Sequence, residues 1–386
     1  MEERADQAAE RRSGESTLRQ TQPLLFTSSN QFPLILINIA RSTQVRNRTS
    51  EIRNQNMRYF KLLFLLLFST AFTFTARAQA NYTKIENYKV YYGVAKHFPQ
   101  EWMILRQFDN YGKNYLLLVN PQTLETRTDE SSFYQITPMT MLQARAFFKN
   151  TPYQNALAKA EKQSVMIQDA GIENGMPKET GISLTADLCP SHRPLDRRIF
   201  TDIIAEFKKV EHPVPIALSI TGVWMRQHPE DLEWLKKLQA DHEIYITWIN
   251  HSFTHRVSLK APLKENFLLE PGTDISYEVL ETEKAMLKNG LLPSVFFRFP
   301  GLVSDQQLVF RITDFGLIPI GTDAWLAKGQ QPQSGSIVLI HGNGNEPVGV
   351  NDFINLLRSK TQAIANKQWL LYDLRESVDD EFEGKD

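Results

Sequence analysis

The chain has 386 residues, 42% of them hydrophobic and 23% charged, with a formal net charge of −1. This is the composition of an ordinary globular protein, long enough for one large domain and a small one. The charge is uneven: residues 1–80 carry 11 Lys+Arg and 6 Asp+Glu, which leaves a net of −6 on the rest. A mildly acidic body argues against nucleic acid as the main partner. Cys189 is the single cysteine, so no intramolecular disulfide can form. A chain of this length can bury a core large enough to need no staple.

The N-terminal region has the three parts of a secretory signal. Met57, Arg58 and Lys61 form a short basic start, residues 62–75 are apolar, and Ala78-Gln79-Ala80 offers a small-x-small cleavage site. The apolar run is shorter than the ~20 residues that a spanning helix needs. Residues 1–56 are polar and rich in Arg, Gln and Ser, so they are expected to be a disordered extension upstream of a start at Met57. The rival reading is a signal-anchor behind a disordered cytoplasmic tail. With cleavage, no stable membrane span remains, and the mature protein is expected to be secreted or periplasmic. No cysteine follows the signal, which argues against a lipid anchor.

From residue 81 the pattern is β-like. Strands are expected at 88–92, 101–105 and 115–119, with a turn-rich stretch at 108–114. Residues 139–162 carry a helical stripe (Met141, Leu142, Ala144, Phe147, Phe148) broken at Thr151-Pro152. This predicts a small β-rich accessory domain over 81–176. Its aromatics Tyr88, Tyr91, Tyr92, Phe98 and Trp102 read better as the core of a small sheet than as a sugar-stacking platform.

From residue 181 strands and helices alternate. Strands are expected at 182–186, 215–221, 243–250, 295–297, 317–321, 336–340 and 369–374. Helices are expected at 197–208, 231–240, 277–289 (closed by Gly290), 306–315 and 351–366. Seven strands alternating with helices in about 200 residues predict a distorted parallel (β/α)7-type barrel over 177–386 rather than an open sheet. The fold class is therefore α/β, with the β-rich domain in front.

Polar groups sit at the ends of several of these strands: Asp187, the pair His251 and His255, Arg298, Asp323 and His341. In a parallel barrel the C-terminal strand ends converge on one face. Carboxylates, imidazoles and an arginine gathered there suit metal-assisted hydrolysis, in which a metal acidifies water, a carboxylate takes a proton and an imidazole protonates the leaving group. Each residue also has a plain reading: caps or turn residues for the histidines, an N-cap for Asp187, a surface turn for Arg298.

In motif order, these segments resemble the polysaccharide deacetylases of carbohydrate esterase family 4, the NodB-homology domain, over residues 181–376. Thr185-Ala186-Asp187-Leu188-Cys189-Pro190-Ser191 looks like the family's T-F-D-D-G-P-S. Ser219-Ile220-Thr221-Gly222-Val223-Trp224 is similar to its F-V-T-G-x-W. Asn250-His251-Ser252-Phe253-Thr254-His255 is similar to its N-H-[ST]-x-[ST]-H. Arg298-Phe299-Pro300-Gly301, Asp323-Ala324-Trp325 and Leu339-Ile340-His341 resemble its R-x-P-x, Asp/Trp and L-x-H motifs. The resemblance implies hydrolysis of an N-acetyl, or in some members an O-acetyl, group on an acetylated polysaccharide or peptidoglycan. It implies His251 and His255 as metal ligands, Asp187 as general base, Arg298 as its ionic partner, and His341 as general acid tuned by Asp323. Trp325, Leu339 and Pro300 would bind substrate, the first two lining an acetyl pocket. The metal would be zinc, with cobalt or nickel as alternatives.

The chain departs from the pattern at Leu188, where the family has a metal-ligand aspartate. Asp187 drawn into the metal shell, a two-histidine site completed by water, and loss of metal and activity all remain open. Cys189 shares the direction of Asp187 if the strand continues, and a thiolate is a good zinc ligand. It stands, however, where the family has a turn glycine, and free cysteines are mostly buried and inert, so the sequence favours an inert thiol. The second functional reading is a non-enzymatic carbohydrate-binding protein on the same fold.

Overall fold

The computed structural model describes residues 82–163, 167–175 and 180–378. The extension 1–56 and the signal segment 57–80 lie outside them. Among the described residues no helix is long and apolar enough to cross a membrane.

The chain first forms an antiparallel sheet from β1 (Ile85–His97), β2 (Gln100–Asn110), β3 (Lys113–Val119), β4 (Thr126–Glu130) and β5 (Gln135–Pro138), in the order β4-β3-β2-β1-β5. The stretch expected to be turn-rich is mostly strand. Only Tyr111 and Gly112 leave the ladder, both at positive φ, as a two-residue hairpin turn that matches the twist of its strands requires. β4 and β5 are short and polar and carry no alternation that the sequence would reveal. Two helices follow, α1 (Met141–Phe147) and α2 (Pro152–Lys162). Thr140 caps the first in a reciprocal box with Gln143, and Thr151 caps the second ahead of Pro152 at its first turn, which is where the helical stripe was expected to break.

The remainder is a parallel sheet wrapped by helices. Its strands are β6 (Gly181–Leu188), β7 (Val214–Ile220), β8 (Ile244–Asn250), β9 (Pro293–Phe297), β10 (Ile318–Pro319), β11 (Ala324–Trp325), β12 (Ile337–His341) and β13 (Leu370–Leu371). They run in the order β10-β9-β8-β7-β6-β12-β11, all pairs parallel, with β13 joining the start of β6. Every residue of β6 and β7 is buried, as expected of central strands covered on both faces. The outer face packs on α3 (Arg198–Phe207), α5 (Pro229–Ala240) and α8 (Pro347–Ala365) through Ile199, Phe207, Leu232, Leu235, Phe353 and Leu357. The short α4 (Gly222–Gln227) lies between β7 and α5, and α7 (Gln306–Asp314) lies between β9 and β10.

β10 and β11 do not pair with each other. Residues 168–174 fill this opening: Ile172 bridges to Ile320, Asn174 bridges to Ser336, Gly321 N–H donates to the Ile172 carbonyl at 2.9 Å, and Ile337 N–H donates to that of Glu173 at 3.2 Å. Gly171, at φ +108, lies so close to the Pro319 backbone that a Cβ would sit 2.6 Å from it. The barrel is thus closed by an irregular strap rather than by an eighth paired strand, which is the distortion expected of the fold.

The antiparallel sheet and the barrel share one apolar cluster. Val94, Met103 and Leu105 pack with Ala217, Ile249, Val295 and Ile337 from the inner face of the parallel strands. Trp102 and Tyr92 are buried, while Phe98 is 96% exposed, so most of the front aromatics serve as core. Beside this cluster, fully buried Arg106 pairs in a fork with Glu283 of α6 (Ile275–Lys288), both contacts at 2.8 Å, and donates to the Phe315 carbonyl at 2.6 Å. Tyr88 Oη donates to the same carboxylate at 2.9 Å.

Removing one partner of a buried pair leaves an uncompensated charge. Glu283→Ala is therefore expected to lower stability by about 3–5 kcal/mol, and an Arg106→Met/Glu283→Leu double variant by much less, both measured by urea unfolding. The strap gives a second expectation. Burial, with Asp169 and Asp323 adding, pushes the Glu173 carboxyl up to about 7. A carboxyl raised on folding contributes stability that is fully present below its unfolded pKa and lost as pH rises through its folded one. The stability of the native protein relative to Glu173→Gln should therefore fall between about pH 4.5 and about pH 7. A difference in urea midpoint between native protein and Glu173→Gln that is the same on both sides of that window would contradict it.

Candidate active site

Four parallel strands deliver their last residues to one place. Asp187 ends the inward-facing row of β6, His251 follows β8, Arg298 follows β9, and His341 ends β12 directly opposite Asp187 in the ladder. Asp187, His251 and Arg298 are all buried, and His341 is partly so.

Arg298 organises the centre. Its Nη1 donates to Thr185 Oγ1 at 2.7 Å and to Asp187 Oδ1 at 3.3 Å, and its Nη2 donates to the Gly321 carbonyl at 2.8 Å. Burial alone would raise the Asp187 carboxyl; Arg298, then His251 and His341, more than offset this and hold it below the usual carboxylate range. The Arg298 carbonyl faces His251 Nδ1 at 2.9 Å. A carbonyl can only accept, so Nδ1 carries a proton; burial would lower the imidazole's pKa, but Asp187 and then Cys189 raise it, and Nε2 is the nitrogen turned to the interior, the one a metal would take. That Nε2 lies 3.5 Å from both Asp187 Oδ2 and Cys189 Sγ.

The loop from His251 to His255 is not a helical turn. Ser252 and His255 both take positive φ, and the two imidazole centroids lie 4.9 Å apart. Buried Glu278, on α6, shapes this loop: its carboxylate accepts from Phe253 N–H and Thr254 N–H at 2.8 Å each and from Thr254 Oγ1 at 2.6 Å. Gly222 lets the Phe253 ring approach to where a Cβ would collide at 2.1 Å. His255 Nε2 is buried without a hydrogen-bond partner.

The carboxylate beside His341 is Glu346, not Asp323. Glu346 Oε2 lies 2.8 Å from His341 Nδ1 and accepts from Trp325 Nε1 at 2.8 Å. Asp323 instead accepts from Ser336 Oγ at 3.2 Å, and burial raises its carboxyl. Burial would lower the His341 pKa, but hydrogen bonding to Cys189 and to Glu346 raises it well above the ordinary histidine value. Glu346 lies on the loop after β12, with no motif to mark it; a carboxylate five residues past a candidate acid was the only signal. Trp325 and Leu339 form a small apolar cluster with Leu302 beside the His341 ring, and Pro300 is buried in the adjoining turn.

Leu188 is fully buried on the opposite side of the strand from Asp187. Its Cδ2, with Leu195 Cδ1 and Ile199 Cδ1, borders Gly342 in the outer core. Cys189 instead turns inward. Its Sγ lies within 4.8 Å of the ligand atoms of His251 and His255 in one grouping, and of Asp187 and His341 in another. Burial opposes its ionisation, yet His255 and then His251 hold the thiol well below its ordinary pKa. The cysteine is buried, as the sequence suggests, and the thiol lies at the middle of the polar cluster.

These donors fit a metal ion. Two ligands of a tetrahedral zinc, about 2.3 Å from it for sulfur and about 2.1 Å for nitrogen, stand about 3.6 Å apart, close to the 3.5 Å between Cys189 Sγ and His251 Nε2.

The family described as RP012 protein N-terminal domain matches residues 86–154, the antiparallel sheet and the first helices. The chain is similar to a family 4 carbohydrate esterase from Bacillus anthracis at 18% identity and a TM-score of 0.39, covering 57% of this chain and 90% of that one. It is similar to wild-type BA3943, a CE4 family pseudoenzyme from Bacillus anthracis, at 18% identity and a TM-score of 0.37, covering 55% and 69%. It is similar to the peptidoglycan deacetylase PdaC from Bacillus subtilis at 17% identity and a TM-score of 0.34, covering 52% and 90%. All three likenesses are at low identity and low TM-score, so the residues of this chain have to carry the function.

Glu346→Gln removes the anion that helps keep His341 protonated, so the His341 imidazole should lose its proton at lower pH than in the native protein. NMR titration of the ring in metal-free protein checks this, and an unmoved midpoint would rule Glu346 out as the tuning group.

Proposed function

We propose that this chain is a secreted or periplasmic, metal-dependent hydrolase that removes N-acetyl groups, or O-acetyl groups, from a polysaccharide or peptidoglycan. The observation that carries this reading is a pair of titratable groups pushed apart across one cluster. Asp187 is held ionised beside Arg298, and His341 is held protonated beside Glu346. Opposed pKa shifts on neighbouring groups are how one site runs base and acid chemistry together.

A divalent ion held by His251 and His255, zinc on availability with cobalt or nickel as alternatives, would polarise an acetyl carbonyl and acidify a bound water. Asp187 accepts the proton of the attacking water; Arg298 keeps it charged and fixes its direction. His341 gives its proton to the departing amine or alcohol and recovers it from Asp187 through solvent. Trp325, Leu339 and Leu302 supply an apolar wall for the acetyl methyl, with Pro300 shaping the adjoining turn. A second reading, a carbohydrate-binding protein without turnover, is favoured by Leu188, whose place in the outer core offers no carboxylate to the ion.

Acetate release from N-acetylated oligosaccharides and from peptidoglycan, measured on zinc-loaded protein, separates the two. Asp187→Asn should reduce release by about 10²-fold or more with the fold retained, the scale of lost general-base catalysis. An Asp187→Asn protein as active as the native one would remove the base, and a native protein that binds glycan but releases no acetate would establish the second reading.

A further inference from the structure

Cys189 stands where neither of these readings requires it. We propose that its thiolate is the third protein ligand of the metal, making a His2Cys site in place of one completed by a carboxylate. This rests on the metal-dependent reading above and goes beyond it in the donor set.

Strand geometry places the thiol. Successive side chains of β6 alternate, so Asp187 faces inward and Leu188 outward; Cys189, the first residue past the strand, turns its thiol to the Asp187 side. Asn343 Nδ2 donates to the Cys189 carbonyl at 2.9 Å, which pins the backbone at the strand's end. The side chain is 5% exposed. Two imidazoles converge on the sulfur: His251, whose Nδ1 is committed to the Arg298 carbonyl and whose Nε2 lies 3.5 Å from Sγ, and His255, whose buried Nε2 has no hydrogen-bond partner. A buried ring nitrogen without a partner is costly, and an ion shared with Cys189 and His251 would satisfy it. The ligand atoms of all three lie within 4.8 Å of one another.

The same thiol lies near His341, itself paired with Glu346, so a cysteine nucleophile is the rival arrangement. It is disfavoured here because it leaves the His255 nitrogen unused. Loss of a carboxylate ligand at Leu188 is thus compensated one residue further along the strand. A soft sulfur donor selects zinc or cobalt over magnesium or manganese.

Because the chain has a single cysteine, thiol chemistry reports on this site alone. The full chain, loaded with cobalt(II), should show a near-ultraviolet thiolate-to-cobalt charge-transfer band. Its thiol should resist a disulfide reagent until a chelator is added. Cys189→Ser should lose the band and weaken zinc binding by roughly tenfold or more, at least the loss seen when outer-shell partners of a metal are removed. Cys189→Asp should hold zinc without the band. Native protein that binds cobalt without the band, with its thiol reactive while loaded, would overturn the ligand assignment and leave a two-histidine deacetylase standing. Protein that takes up no metal, with a reactive thiol whose alkylation abolishes acetate release, would overturn the metal reading itself in favour of the nucleophile.

Discussion

A single buried guanidinium holds this site together. Arg298 is fully inaccessible to solvent, and a charge in that position persists only where partners offset its burial; both Nη atoms are paired, while Nε has no partner. The structure uses it to join four strand ends. Its Nη atoms reach Thr185 and Asp187 on β6 and the Gly321 carbonyl after β10, while its own carbonyl orients His251 after β8. Asp187 and His251 are therefore not independently placed. The Asp187 carboxylate is held ionised, and the imidazole presents Nε2 inward, because the same residue fixes both. Displacing Arg298 would disturb the carboxylate, the imidazole's orientation and the closure strap beneath Gly321 together.

The strap and the front sheet explain how a barrel with an unpaired gap remains rigid enough for this. Ile172 hydrogen-bonds on both sides into the Pro319–Gly321 segment, which carries the carbonyl that Arg298 uses. The front sheet packs Val94, Met103 and Leu105 against the inner rows of the parallel strands, so the polar strand ends stand on an apolar floor. Arg106 and Glu283 then tie the front sheet to α6. That helix also presents Glu278 to the loop of His251 and His255. Thus α6 meets the front sheet through one buried carboxylate and shapes the candidate metal loop through another, five residues away.

What the sequence made legible follows from periodicity. Long apolar strands with a polar residue at the C-terminal end announce both the parallel sheet and Asp187, His251, Arg298 and His341, because a parallel topology leaves those ends nowhere to go but one face. Glu346, Glu278 and the strap were not legible. Each acts through a tertiary contact, with the imidazole of His341, with the amides of Phe253 and Thr254, or with strand edges distant in the chain. No local pattern encodes such a contact. Asp323 was legible as a polar residue at a strand end, but the short β11 points it toward Ser336 rather than His341.

Leu188 and Cys189 show the same principle at the scale of one residue. Read by alignment of motifs, position 188 is where a ligand is missing and 189 is a substituted turn glycine. Read by strand alternation, position 188 belongs to the outer core, where Leu195 and Ile199 already exclude water, and position 189 belongs to the polar interior. A carboxylate at 188 would have to be drawn out of an apolar layer to reach an ion, whereas a thiol at 189 reaches it along the direction that Asp187 already takes. Sulfur also tolerates burial better than a carboxylate does. In the proposed site, a sulfur donor one place past the end of β6 would take the part of an oxygen donor at 188, with the outer core left apolar and Asp187 untouched.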